Sequence, residues 1–126
     1  MRSSLIVSAI GCLLGLAGSA HAAQLASATI YGAFSQHTAQ CAIANVGTTP
    51  IFVTVNIVDE SGNVVPTSEH CGTVQPGLLC EVFASSISTS SAFACTATTK
   101  GNTGKLRGSF NLLDANLSTL RTVELR

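Results

Sequence analysis

Between Ile51 and Asp59 the chain alternates: Ile51, Val53, Val55 and Ile57 fall on one parity, Thr54 and Asn56 on the other. Period-two alternation of β-branched residues predicts a strand with one buried face. Turn formers bound it, Asn45-Val46-Gly47-Thr48-Thr49-Pro50 before and Glu60-Ser61-Gly62-Asn63 after. Similar runs recur at residues 29–34, 40–45, 64–68, 78–83, 92–98, 106–113 and 120–125. Short strands separated by frequent turns predict a sandwich or barrel. Residues 100–105, Lys-Gly-Asn-Thr-Gly-Lys, read as a hairpin tip between two of these strands. In the strand that follows, Leu106, Gly108, Phe110 and Leu112 point inward, and Arg107, Ser109 and Asn111 outward. No segment carries a helical stripe, and residues 113–120 offer at most one helical turn. The expected fold is all-β, an Ig-like antiparallel sandwich of about seven to eight strands.

The aromatic residues refine this picture. Phe34, Phe83, Phe93 and Phe110 sit on apolar strands and are expected in the core. Phe52 opposes Ile51, Val53 and Val55 in parity; with Val58 and Tyr31 it forms an apolar strip that is either a partner site or, the preferred reading, a second buried face. His37 falls in the turn between the first two strands.

The N-terminus has the grammar of a secretory signal: Arg2, an apolar run from Leu5 to Ala17, and the small-x-small site Ala20-His21-Ala22. That run is well short of the roughly 20 residues a membrane-spanning helix requires. The expectation is a leader at residues 1–22, one domain at residues 23–126, and a secreted or periplasmic address. Cys12 sits in a loose lipobox, and Asn116-Leu117-Ser118 matches the glycosylation sequon.

Cleavage after Ala22 leaves Cys41, Cys71, Cys80 and Cys95, an even set in an exported chain, for which a disulfide framework is the default. Four cysteines allow three pairings. The Pro76-Gly77 turn lets Cys71 and Cys80 meet when their flanks fold back, which leaves Cys41 for Cys95. In the chain-entropy model the short loop contributes about 2.7 kcal/mol and the long one about 4 kcal/mol. The rival is a metal site built from His70, Cys71 and Cys80, but there is no Cys-x-x-Cys spacing to support it.

Six basic and six acidic residues give zero formal charge, which argues against a nucleic-acid partner. Acidic residues cluster centrally, whereas Lys100, Lys105, Arg107, Arg121 and Arg126 lie in the last quarter, read as solvated faces. Gly-x-Ser-x-Gly, His-Glu-x-x-His and EF-hand patterns are absent. Residues 101–105 are too short for a phosphate loop, with Leu106 where Ser or Thr would bind magnesium. Asp59, Glu60 and Asn63 read as a solvated turn rather than a calcium site. His70 beside Cys71 is a nucleophilic pair only while the thiol is free. The expectation is a non-enzyme with no cofactor, no metal and no membrane span.

The stretch from Cys41 through Asn45-Val46-Gly47 to Asp59 and Gly62, followed by Pro76-Gly77, resembles the N-x-G…V-x-V…D…G…P-G pattern of bacterial Ig-like modules. CARDB-type cell-adhesion-related domains are among them. The chain is also similar to short, cysteine-bearing exported bacterial proteins. The resemblance spans roughly residues 41–85 and implies a sandwich, leaving the activity open. The expected role is a structural or protein-interaction module for a protein or cell-envelope partner. Its working surface would lie on the loops bearing Ser85, Ser88 and Ser90 and Lys100, Asn102 and Lys105, with Phe52 beside them. The alternatives are a small apolar-ligand carrier, as in neocarzinostatin-type apoproteins, whose cysteine spacing differs, and a hydrolase inhibitor using the Cys71 to Cys80 loop.

Overall fold

The computed structural model describes residues 22–126; the expected leader up to residue 21, with Cys12, lies outside the described residues. Alternation at Ile51–Asp59 produces the anticipated strand, with Val53, Val55 and Ile57 buried and Thr54 exposed. In chain order the strands are β1 (Ala23–Ala26), β2 (Gln36–Asn45), β3 (Ile51–Asp59), β4 (Val64–Val65), β5 (Thr73–Val74), β6 (Leu79–Ser85), β7 (Phe93–Thr99), β8 (Leu106–Asp114) and β9 (Thr119–Leu125). One sheet runs β1-β7-β3-β4, with β5 also pairing to β3; the other runs β6-β2-β8-β9. Every pairing is antiparallel.

The inward faces of the two sheets supply the core. Val53, Val55, Ile57, Phe93 and Ala97 meet Ile43, Val82, Leu106, Phe110 and Leu112. Phe110 is fully buried, and truncating such a ring to alanine costs about 3–5 kcal/mol. The Cys41–Cys95 bridge joins β2 to β7 across this core, with Cα atoms 6.1 Å apart. Cys71–Cys80 is the second disulfide, Cα atoms 5.9 Å apart. Its arms lead to β5 on one sheet and β6 on the other, so both bridges tie the sheets together. Two disulfides accord with an oxidising environment.

Both lateral seams are stitched as well. Ala26 and Arg126 exchange two backbone hydrogen bonds of 3.0 Å, linking β1 to the end of β9. Opposite them, the Ser68 N–H donates to the Phe83 carbonyl at 3.0 Å. Such closure protects strand edges from pairing with other chains. The strand order departs from that of constant-type immunoglobulin domains, in which the first strand lies beside the second. Here β8 lies beside β2, and β1 lies beside β7.

Several expectations need correction. Residues 29–34 form no strand beyond a single bridge at Ile30, because Ala33 adopts φ 135° and the chain is crossing between sheets. Phe34 is consequently 80% exposed rather than in the core. Phe83 points outward and is half-buried. Phe52 is 59% exposed, so no second buried face exists there. His37 belongs to β2 rather than to a turn. The strand expected at residues 64–68 is confined to Val64–Val65. Residues 100–105 are a crossover between sheets, with a 3-10 turn at Thr103–Lys105, since β7 and β8 are not neighbours. Residues 114–118 make a hairpin turn joining β8 to β9, in keeping with the upper limit of one helical turn expected there.

Candidate functional site

Two buried amides at the two ends of β2 organise the loops. Asn45 shares the inward parity of Cys41 and Ile43 and has no exposed surface. Its Nδ2 donates to the carbonyls of Thr49 (2.8 Å) and Val74 (2.9 Å), while its Oδ1 accepts from the Gly47 N–H at 2.9 Å. Its backbone N–H donates to the Leu78 carbonyl (3.0 Å), and its carbonyl accepts from Gly77 (2.8 Å). Loops 46–50 and 75–78 are thereby fixed to one residue. A buried amide satisfied at every position rigidifies what it holds.

The 75–78 loop is stiffened further. The Leu78 N–H returns to the Gln75 carbonyl at 3.1 Å with Gly77 at φ 75°, the type II turn that Pro-Gly favours. Cys71–Cys80 closes the loop from behind. Loop 100–105 joins the assembly through the Val46 N–H, which donates to the Lys105 carbonyl at 2.9 Å. Asn102 accepts from the Gly104 N–H at 2.6 Å.

On this fixed frame stand exposed apolar side chains: Val46, Phe52, Leu78 and Leu79. Lys100, Asn102 and Lys105 line a hollow of about 310 Å³ together with Pro50, Ile51, Phe52 and Thr99. Four of the anticipated site residues therefore meet at what is here termed the lysine end.

Ser85, Ser88 and Ser90 lie at the other end of β7, the serine end, and do not share that surface. There the second amide acts. Gln36, 1% exposed, accepts from the Gly32 N–H at 2.8 Å and donates to the Ser91 carbonyl at 2.7 Å and to that of Ser88. The serine hydroxyls bond mainly one another, Ser88 to Ser90 at 3.2 Å and Ser91 to Ser88 at 3.1 Å. Tyr31 donates to the Thr89 carbonyl (3.0 Å) and meets Phe34 edge to face, ring centroids 6.1 Å apart.

Asp59 shows why its turn is acidic. Its Oδ1 accepts from the Ser61 and Asn63 N–H groups, each at 2.9 Å, and its Oδ2 accepts from Asn63 Nδ2 at 3.1 Å. The Asn63 backbone N–H, then its side-chain amide, hold this carboxyl below the ordinary value. Both oxygens thus serve the turn. Cys71 is bonded to Cys80, so in this state it forms no nucleophilic pair with His70.

The outer face of the β6-β2-β8-β9 sheet holds an open depression of about 530 Å³ floored by Ala42, Ala44 and Ser109. Beside it runs a one-directional polar row: Thr122 donates to Asn111 (2.8 Å), Asn111 to Gln40 (2.9 Å), and Gln40 to Glu81 (2.9 Å). Among the described residues, no helix is long and apolar enough to cross a membrane, and no three His, Cys, Asp or Glu residues gather as a metal-ligand group. Asn45 and Gln36 were absent from the expected site. Asn45 was recoverable, being a polar residue on the inward parity of β2, whereas a register shift between Gln36 and Thr38 hides Gln36. No family model, curated protein or solved structure matches this chain.

Proposed function

We propose that the chain is an exported, non-enzymatic interaction module whose contact surface is the lysine end. The observation that carries this reading is the set of loops pinned by Asn45, which presents Val46 and Leu78 to solvent at the end of the sandwich where Phe52 of β3 lines a hollow with Lys100 and Lys105. Ordering these loops before contact removes part of the entropy cost of association. Exposed apolar side chains rimmed by polar groups mark protein contact sites. The signal-like leader, the two disulfides and the similarity to CARDB-type modules all favour a partner in the cell envelope or beyond it.

The test is quantitative capture from cell-envelope fractions on immobilised, fully oxidised protein. A partner retained by the wild type and by Phe34→Glu, but lost when Phe52→Glu and Leu78→Glu are added to the Phe34→Glu protein, is the expected result. Equal retention by all three proteins would refute the lysine end as the contact surface.

A further inference from the structure

The two ends differ in charge and in their apolar groups, although the lysine end also carries the Glu124–Arg126 pair. The lysine end carries Lys100 and Lys105 beside the hollow next to Phe52. The serine end carries Asp59 and Glu60 at the close of β3 and Asp114 at the close of β8, with Arg121 further along β9. From that acidic end projects Phe34, 80% exposed and braced against Tyr31. Tyr31 and Glu60 are both anchored to the serine loop, through the Thr89 carbonyl (3.0 Å) and the Ala92 N–H (3.2 Å). A knob thus stands on an acidic, fixed platform, and a hollow of about 310 Å³, room for one aromatic side chain, stands on a basic, fixed platform.

We infer that the partner for the lysine end is the serine end of a second copy of this chain, joined head to tail. The inference rests on the lysine end being a contact surface and names its occupant. Phe34 of one copy enters the hollow between Phe52, Pro50 and Lys100 of the next, while Glu60 and Asp114 face Lys100 and Lys105. Because the surfaces in contact differ, the interface is heterologous, and each joined copy leaves one free end of each kind. Such an interface propagates into a chain of copies unless its rotation closes a ring. The stitched seams at Ala26–Arg126 and Ser68–Phe83 favour growth through the ends rather than by strand pairing.

Two variants separate the ends. Lys100→Glu with Lys105→Glu reverses the basic end; Phe34→Ser with Glu60→Gln removes the knob and one acidic charge while keeping an oxygen to accept from the Ala92 N–H. Asp59 and Asp114 are left intact because their carboxylates hold turns. All four substituted side chains are exposed, and circular dichroism checks that both variants remain folded. The readout is sedimentation velocity of oxidised protein from micromolar to millimolar concentration.

The wild type is expected to grow past dimer as concentration rises, with association weakened about tenfold on going from low to high salt. Each variant alone is expected to stay monomeric, and an equimolar mixture to form a dimer that grows no further, through the one intact surface on each. A wild type that stays monomeric, a mixture that stays monomeric, or a variant that dimerises by itself would overturn the inference. If the wild type is monomeric yet the lysine-end variant loses the captured envelope partner, the contact surface stands and only its occupant is wrong.

Discussion

Two hairpin turns in this chain are built alike but place different residues at their left-handed position. In both, an aspartate closes the turn by backbone bonds to the third and fourth residues beyond it: Asp59 with Gly62 and Asn63, and Asp114 with Leu117 and Ser118, all at 3.0 Å. In both, the aspartate Oδ1 also accepts two backbone N–H groups. The fourth residue of each turn is left-handed, Gly62 at φ 83° and Leu117 at φ 62°. A non-glycine residue in that region costs about 1–2 kcal/mol, and Leu117 recovers little by packing, being 66% exposed. Replacing it by glycine releases that strain but adds about 0.5–1 kcal/mol of unfolded-chain freedom. Leu117→Gly should therefore stabilise the domain by about 0.5–1 kcal/mol, raising Tm by about 2–8 °C for a domain of this size. The reciprocal Gly62→Ala meets no atom within 4 Å, so its effect is purely conformational, a loss of about 1 kcal/mol. Thermal unfolding followed by circular dichroism, with reversibility checked, measures both. An unchanged or lowered Tm for Leu117→Gly, together with a neutral Gly62→Ala, would refute the reasoning.

Further outcomes can be measured on the same material. Asn45→Ala strips partners from the Thr49 and Val74 carbonyls and the Gly47 N–H, and should cost about 2–4 kcal/mol in urea unfolding; a loss under about 0.5 kcal/mol would mean that water replaces the amide without penalty. Under mild reductant, alkylation with mass mapping should find Cys71–Cys80 opened first, because Cys41 and Cys95 have no exposed surface while Cys71 and Cys80 are half-buried. Simultaneous opening of both bridges would contradict that order. The Asp59 carboxyl is depressed from 3.8 in the folded chain, so its contribution is complete above that value and is lost as pH falls through the lower folded value. Asp59→Asn should accordingly weaken the domain at neutral pH and flatten its acid limb below about pH 4, read from urea midpoints against pH; a limb of unchanged slope would remove Asp59 as its source.

Much of the architecture was legible because it follows from local physics. The parity of Ile51, Val53, Val55 and Ile57 is a property of the chain itself, and so are the turns at Gly62 and Pro76-Gly77. The paired cysteines were legible for a similar reason: the turn between Cys71 and Cys80 favours their meeting, which leaves Cys41 for Cys95. The inward and outward sets of β8 were read correctly up to Leu112, where a register shift lets the adjacent Leu113 be buried too. Tertiary structure decided what no local pattern encodes. β1, the unpromising Ala-Gln-Leu-Ala, is a strand only because β7 offers it an edge. The attractive run at residues 29–34 is not one, because the chain must turn there to change sheets. The site divides in the same way. Phe52, Lys100, Asn102 and Lys105 were visible as exposed chemistry, but their meeting at one end, and the exile of the serines to the other, depend on which sheet each strand joins. Asn45 and Gln36 take their roles from bonds to residues distant in sequence, and sequence periodicity records only which way a side chain points, not what it will find there.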